Sequence, residues 1–235
     1  MTTLLELHDV DAGYDRVRVV RGLNLTVDDG EVVTMLGPNG AGKTTALRTA
    51  CGLLRPQGGE VVIAGRRLPS NKPCEAARRG VSLVPEARAL FYGLTVRENL
   101  RLGARGKKAS DAYRVALESF PELEALMGRR AGLLSGGEQQ MLAMARALAA
   151  RPRMLIVDEM SLGLAPMIVQ RLIGMLRSLA DSTGVAVLFV EQYVDLALQV
   201  SDRAIVLQHG ALALEGSAEE LRSRRDVIES SYLGS

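Results

Sequence analysis

The amino-acid sequence predicts an α/β protein, a mostly parallel sheet interrupted by an all-helical insert. Three observations predict it. Short, β-branched apolar runs recur without strict alternation, as strands covered on both faces require. One of these runs ends in a glycine-rich turn that opens into a helical pattern, a strand–loop–helix unit. From about residue 95 to residue 150 helical signals replace strand signals.

In chain order, residues 4–10 and 17–27 alternate or run apolar and are expected as strands. Residues 31–36 (EVVTML) form a compact third strand that stops at Gly37. Residues 43–54 then carry Leu and Ala at helical spacing. Further buried strands are expected at 60–64, 81–84, 154–157, 185–190 and 204–207, most of them without strict alternation, as in a mostly parallel sheet covered on both faces. In the insert, Thr95 and Glu98 make a capping box in which each satisfies the other's backbone donor. Residues 103–108 read as a polar connector, with short helices at 110–119 and 121–127 and a longer one ending near residue 150. His209 and Gly210 mark a hairpin turn, and Ser217 with Glu220 repeats the capping signal.

Bulk properties exclude several classes. At 235 residues the chain is long enough for a large core. Its 47% hydrophobic and 24% charged residues are those of an ordinary globular protein. A net charge of +2 is too small to imply a nucleic-acid or membrane-surface partner by itself. Two cysteines, Cys51 and Cys74, make neither a disulfide framework nor a metal site, and Cys51 is expected as a small core residue. No run approaches the ~18 apolar residues of a spanning helix, and the first residues are acidic rather than basic. The expected location is cytoplasmic.

The chemistry begins at Gly37-Pro38-Asn39-Gly40-Ala41-Gly42-Lys43-Thr44-Thr45, which matches G-x-x-x-x-G-K-[ST]. Glycines let successive backbone N–H groups face one point and make a nest for anionic oxygens. The helix that starts near Lys43 adds its positive dipole end. Lys43 brings a compact charge to β- and γ-phosphates, and the Thr44 hydroxyl is placed to ligate Mg²⁺. Such a loop needs a carboxylate from a neighbouring strand, and Asp158, ending the run at 154–157, is expected to supply it. Glu159, one residue on, is expected to face a water at the γ-phosphate as general base.

These two features define nucleotide hydrolysis only. The discriminating segment is Leu134-Ser135-Gly136-Gly137-Glu138-Gln139-Gln140. Ser135 and Glu138 form another capping box, and two glycines expose the first N–H groups of the following helix. That is a second phosphate-binding helix end. The insert separates it from Lys43, so one ATP is not easily held by both ends of one chain. Two chains packed head to tail solve this, each ATP lying between Lys43 of one and Ser135 of the other.

Together these motifs resemble the ATP-binding cassette superfamily over essentially the whole chain. The resemblance implies a single cassette domain. Its P-loop core and antiparallel β portion would occupy about 1–94 and 151–235, and its helical portion about 95–150. It places Tyr14 where an aromatic stacks on adenine. Glu86 stands where most members carry a glutamine that contacts Mg²⁺ and the membrane partner. Residues 161–166 (SLGLAP) match the loop that touches the opposite subunit, and Gln192 stands where most carry a γ-phosphate-contacting histidine. Neither His8 nor His209 follows the right strand to substitute for it. Gln192 can donate an N–H but does not titrate, and Glu86 brings a hard oxygen with a negative charge. Met160 replaces the usual Pro and loses its fixed φ, which is expected to loosen the loop after it.

Residues 84–91 (VPEARALF), 94–100 (LTVRENL), 161–166, 190–192 (VEQ) and 231–234 (SYLG) resemble the branched-chain amino-acid uptake branch. The resemblance then implies an ATP- and Mg²⁺-dependent motor, peripheral on the inner face of the membrane. Its partners would be a second ATPase subunit, a different chain or a second copy, two integral membrane permeases and, indirectly, a secreted binding protein. Urea or amide importers use similar cassettes. A soluble cassette acting on ribosomes or DNA usually carries fused cassettes, coiled-coil insertions or a basic face, none of which occurs here. A P-loop kinase or GTPase leaves LSGGEQQ unexplained.

Overall fold

A computed structural model of the chain describes residues 2–224 apart from 105 and 107; the expected motif at 231–234 lies outside them. The order opens β1 (Thr3–Tyr14), β2 (Val17–Asp28), β3 (Val32–Leu36), α1 (Lys43–Ala50), β4 (Gly58–Ile63), β5 (Arg66–Arg67), α2 (Pro73–Arg78), β6 (Val81–Val84). A helical stretch follows: α3 (Val96–Gly103), α4 (Ala109–Ser119), two 3₁₀ turns (Pro121–Leu126 and Ala131–Leu133) and α5 (Gly136–Leu148). The chain then continues as β7 (Met154–Asp158), α6 (Pro166–Thr183), β8 (Ala186–Val190) and α7 (Val194–Val200). It closes with β9 (Arg203–Gln208), β10 (Ala211–Ser217) and α8 (Ala218–Ser223).

Two sheets form. One is six-stranded, ordered β10-β9-β3-β8-β7-β6, parallel except for the β9–β10 hairpin. The other is an antiparallel sheet ordered β2-β1-β4-β5. The larger sheet is apolar on both faces because each face has its own cover. Val33 and Met35 of β3 join Leu5, Val20 and Val61 of the antiparallel sheet and Leu47 of α1 in one cluster. Val32 and Leu36 point the other way, with Phe189 of β8, into a cluster built with the helices. Each large side chain wholly buried there, such as Phe189 or Leu142, contributes about 2–3 kcal/mol of transfer free energy. The helical cluster runs unbroken from Val96 and Leu100 of α3 to Leu155 and Val157 of β7, so the insert shares its core with the sheet.

Several expectations are corrected. Residues 60–64 do not join the parallel sheet: β4 pairs antiparallel with β1, Leu5 opposite Ile63, and its burial alternates as one-sided cover requires. Helix α1 ends at Ala50 rather than residue 54, because Gly52 turns left-handed at φ 69°. The strand bearing Asp158 is not the neighbour of β3, since β8 lies between β3 and β7. Elements α2, β5, α6, α7 and β10 carry no earlier expectation beyond the hairpin turn at His209–Gly210. Cys51 is buried, which pushes its thiol up to about 12, and Cys74 is exposed.

The three capping boxes form as the sequence requires. Thr95 opens α3, Ser135 opens α5 and Ser217 opens α8, each side chain accepting from the third helical N–H while the Glu accepts from the cap N–H. Each such cap is worth about 1 kcal/mol.

Candidate nucleotide site

The site assembles at the carboxyl ends of β3, β8 and β7, where a doubly covered sheet opens a crevice. The loop after β3 depends on glycine at two points. At Gly37, φ is 141° and a Cβ would lie 2.3 Å from the Leu207 carbonyl oxygen. Gly42 caps α1 at φ 99°, where a Cβ would press on Val19 and Val20. Helix α1 has no acidic residue in its first turn, so its positive end is not neutralised by the chain itself.

Lys43 is buried, and its Nζ donates to Gly37 O at 2.7 Å and Pro38 O at 2.9 Å. It lies 3.9 Å from Glu159 Oε1. Burial lowers its pKa, opposed by the charges of Glu159 and Asp158. Thr44 donates its hydroxyl hydrogen to Asp158 Oδ1 at 3.0 Å. Burial raises the Asp158 pKa; the Thr44 hydrogen bond lowers it, and the carboxylates of Glu159 and Glu86 raise it further. Because β8 separates β3 from β7, its continuation brings Gln192 alongside Glu159, with Nε2 donating to Oε2 at 3.2 Å. Glu159 holds φ 41°, a left-handed conformation unusual for a non-glycine residue and a mark of a strained functional turn.

Thus Lys43, Thr44, Asp158, Glu159 and Gln192 meet as a group. Asn39, Gly40, Gly42, Thr44, Thr45 and Glu159 line a cleft of about 150 Å³ with Lys43 and Val19. Ala41 is buried in the loop and closes it by accepting from Gly210 N. Sequence reasoning missed Val19, whose apolar wall becomes visible only when β2 folds over the loop. Tyr14 is 42% exposed at the end of β1 and its hydroxyl accepts from Arg48 of α1 at 3.1 Å. Glu86 is exposed after β6, within electrostatic reach of Asp158.

Ser135 and Glu138 bond to one another at the start of α5, Ser135 N donating to Glu138 Oε2 at 2.7 Å. Those bonds hold the Glu138 pKa down, the Ser135 backbone N–H foremost. A Cβ on Gly136 or Gly137 would touch Leu164 or Ile168, each at 3.4 Å, so this helix end packs on the loop and helix after Ser161. In that loop Leu162 is 55% exposed, whereas Met160 is buried in the apolar cluster. Met160 lacks proline's fixed φ, but its packed side chain anchors the loop's start.

Sequence reasoning also missed Glu191, a wholly buried carboxylate next to Gln192. Its Oε2 accepts from Gln192 N at 3.1 Å. Burial raises its pKa, opposed by hydrogen bonds from Ser161 and from the Gln192 and Tyr193 backbone. An acid after an apolar run reads equally well as a solvated strand end, so no sequence signal separates the two.

A glycine nest on a dipole end, a buried lysine, a hydroxyl–carboxylate pair and a second strand-end acid define a P-loop nucleotide hydrolase. The ABC transporter family model matches residues 20–161. The chain belongs to that family and is an ATP-binding cassette ATPase. Among curated relatives, the high-affinity branched-chain amino acid transport ATP-binding protein BraG of Pseudomonas aeruginosa is 38% identical, over 98% of this chain and all of that one. The probable branched-chain amino acid transport ATP-binding protein LivF of Archaeoglobus fulgidus is 35% identical, over 93% of this chain and 94% of its own. A nucleotide-free ATP-binding cassette from an ABC transporter superposes with TM-score 0.87 at 25% identity, over 99% of this chain and 100% of that one. A dimeric cassette in a post-hydrolysis state, bound to ADP and phosphate, gives 0.83 at 26%, over 92% and 99% of the two chains. No helix among the described residues is long and apolar enough to cross a membrane.

Proposed function

We propose that this cassette energises uptake of branched-chain or other hydrophobic amino acids through two integral membrane permeases, paired with a second cassette at the inner face of the membrane. The cargo rests on the names of the BraG and LivF relatives and on the Glu86 and Gln192 departures. The observation that carries the motor is a cleft lined by Lys43, Thr44 and Glu159, with Asp158 bonded to Thr44 and Gln192 bonded to Glu159.

Backbone N–H groups between Asn39 and Thr45 and the Lys43 ammonium hold the β- and γ-phosphates, and the Tyr14 ring takes the adenine. Magnesium fits the donor set: Asp158 is crowded by Glu159 and Glu86, and a cation relieves that repulsion. Thr44 and Asp158 would hold it, with Glu86 nearby. Among the described residues no group of three or more His, Cys, Asp or Glu side chains could hold a metal ion, so phosphate oxygens and water would have to supply the remaining ligands, as Mg²⁺ prefers. The ion would neutralise charge on the transferring phosphoryl group. Glu159 accepts a proton from the attacking water, and Gln192 holds its carboxylate in place.

Pockets that enclose an organic ligand run to about 300–1,000 Å³. The cleft, at about 150 Å³, falls below that range, which fits a phosphate-binding half-site completed by a second surface. Cover for the rest comes from a facing cassette, whose Ser135, Gly137 and Glu138 end of α5 meets the γ-phosphate from the other side. The experiment is uptake of labelled leucine, valine and urea by cells carrying the parent or Lys43→Ala cassette. Loss of leucine and valine uptake alone is expected; loss of urea uptake instead would overturn the cargo.

A further inference from the structure

The turn that carries Glu86 is tied to α5 by two arginines pointing in opposite directions, one reaching the Ser135 end of the helix and one leaving its last turn. From the turn, Arg88 reaches α5, its Nε donating to Gln140 Oε1 at 3.1 Å and its Nη1 to Gln139 Oε1 at 2.9 Å. Its Nη2 sits 3.7 Å from where a Cβ on Gly136 would stand. From α5, Arg146 reaches back, donating to Ala89 O at 2.7 Å and Arg88 O at 3.3 Å, with its guanidinium 5.9 Å from the centre of the Phe91 ring.

The turn so gripped is strained. Arg88 and Ala89 are consecutive non-glycine residues with φ 60° and 50°. Side chains disfavour that region, and such strain persists only where surrounding contacts over-determine it. Arg146 supplies those contacts, because its planar fork takes both strained carbonyls at once. The glutamines that receive Arg88 directly follow Glu138, one turn from Ser135. Movement of either segment therefore pulls on the other.

We infer that Arg88 and Arg146 are positioning residues, a two-way latch through which the Glu86 turn and the Ser135 end of α5 set one another's geometry. This rests on the reading of Ser135 as the grip on a facing nucleotide, and it assigns that grip a control point on the same chain. Opening the latch lets the turn relax out of the left-handed region, and α5 loses its fixed approach.

Hydrogen exchange on the full chain tests it, comparing Arg88→Met, Arg146→Met and the double variant. Fluorescent ADP binding at the Lys43 site is measured alongside. Each single substitution should raise exchange roughly tenfold at both the Arg88–Ala89 and Glu138–Gln139 amides, with no further rise in the double variant. Arg146→Lys should restore part of the protection at both places together, and ADP affinity should stay within about twofold of the parent. Exchange rising only at the substituted end, or the two singles adding in the double, would overturn the latch. If Lys43→Ala binds ADP like the parent, the reading of the nucleotide site fails instead, whatever the exchange shows.

Discussion

Gln192 donates its side-chain amide hydrogen to Glu159 Oε2, 3.2 Å away, across the gap where β8 ends beside β7. The contact fixes the carboxylate proposed as the general base, and it does so without a titrating group. Gln192→Ala should slow hydrolysis about fivefold, as loss of one hydrogen bond of about 1 kcal/mol predicts. Gln192→His should restore much of the rate and add a pH–rate limb near the ordinary histidine value, ~6.5. A limb of that kind in the parent that vanishes in Gln192→Ala would contradict the assignment.

Lys43 and Glu159 face each other at 3.9 Å, and the proposed function gives them different steps. Glu159→Gln should lower kcat by about 10²–10⁴-fold, the usual worth of a general base, and leave nucleotide affinity intact. Lys43→Ala should instead abolish binding along with turnover. Isothermal titration with ATP and a phosphate-release assay separate the two; equal loss of affinity in both variants would merge roles held apart here.

The three capping boxes share one geometry, and the proposed function gives only the Ser135 box a second role. Thr95→Ala, Ser135→Ala and Ser217→Ala should each cost about 1 kcal/mol in urea unfolding. Only Ser135→Ala should also depress ATP hydrolysis. A comparable activity loss in Thr95→Ala at matched stability would show that helix stability, not phosphate contact, explains the Ser135 effect.

Glu191 gives a pH test. Burial raises its pKa in the folded chain, so the folded state binds more protons than the unfolded one just above the ordinary glutamate range. Its contribution to stability is therefore full below that range and is lost as pH rises through the raised value. Glu191→Gln removes the buried charge. It should raise Tm by about 2–4 °C near pH 8, a shift corresponding to roughly 1 kcal/mol, and the gain should shrink toward pH 4. Thermal melts across that window decide it; a gain independent of pH would assign the effect to packing.

What the sequence made legible was local. The P-loop, the Asp158–Glu159 pair and the Ser135 box are contiguous stretches whose chemistry is fixed by neighbours in the chain. The parallel strands were legible because two-sided cover removes alternation, as in 154–158, where every residue is buried. The same reasoning failed for β4, whose Val61 and Ile63 resemble a buried run although only one face is covered. Strand order was not legible either, and it is strand order that brings Gln192 beside Glu159. Arg88, Arg146 and Glu191 act through partners between 30 and 58 residues away or through burial, and neither leaves a mark in local composition.

The central claim is that Lys43 of one polypeptide and Ser135 of another close on the same triphosphate. Analytical ultracentrifugation of the Glu159→Gln chain, alone and with the cassette that co-purifies with it, addresses this directly. ATP with Mg²⁺ should convert it to a species of twice the mass, ADP should not, and Ser135→Arg should abolish the conversion. Undiminished turnover by parent chain that sediments as a monomer at every concentration, with Ser135→Arg equally active, would contradict it.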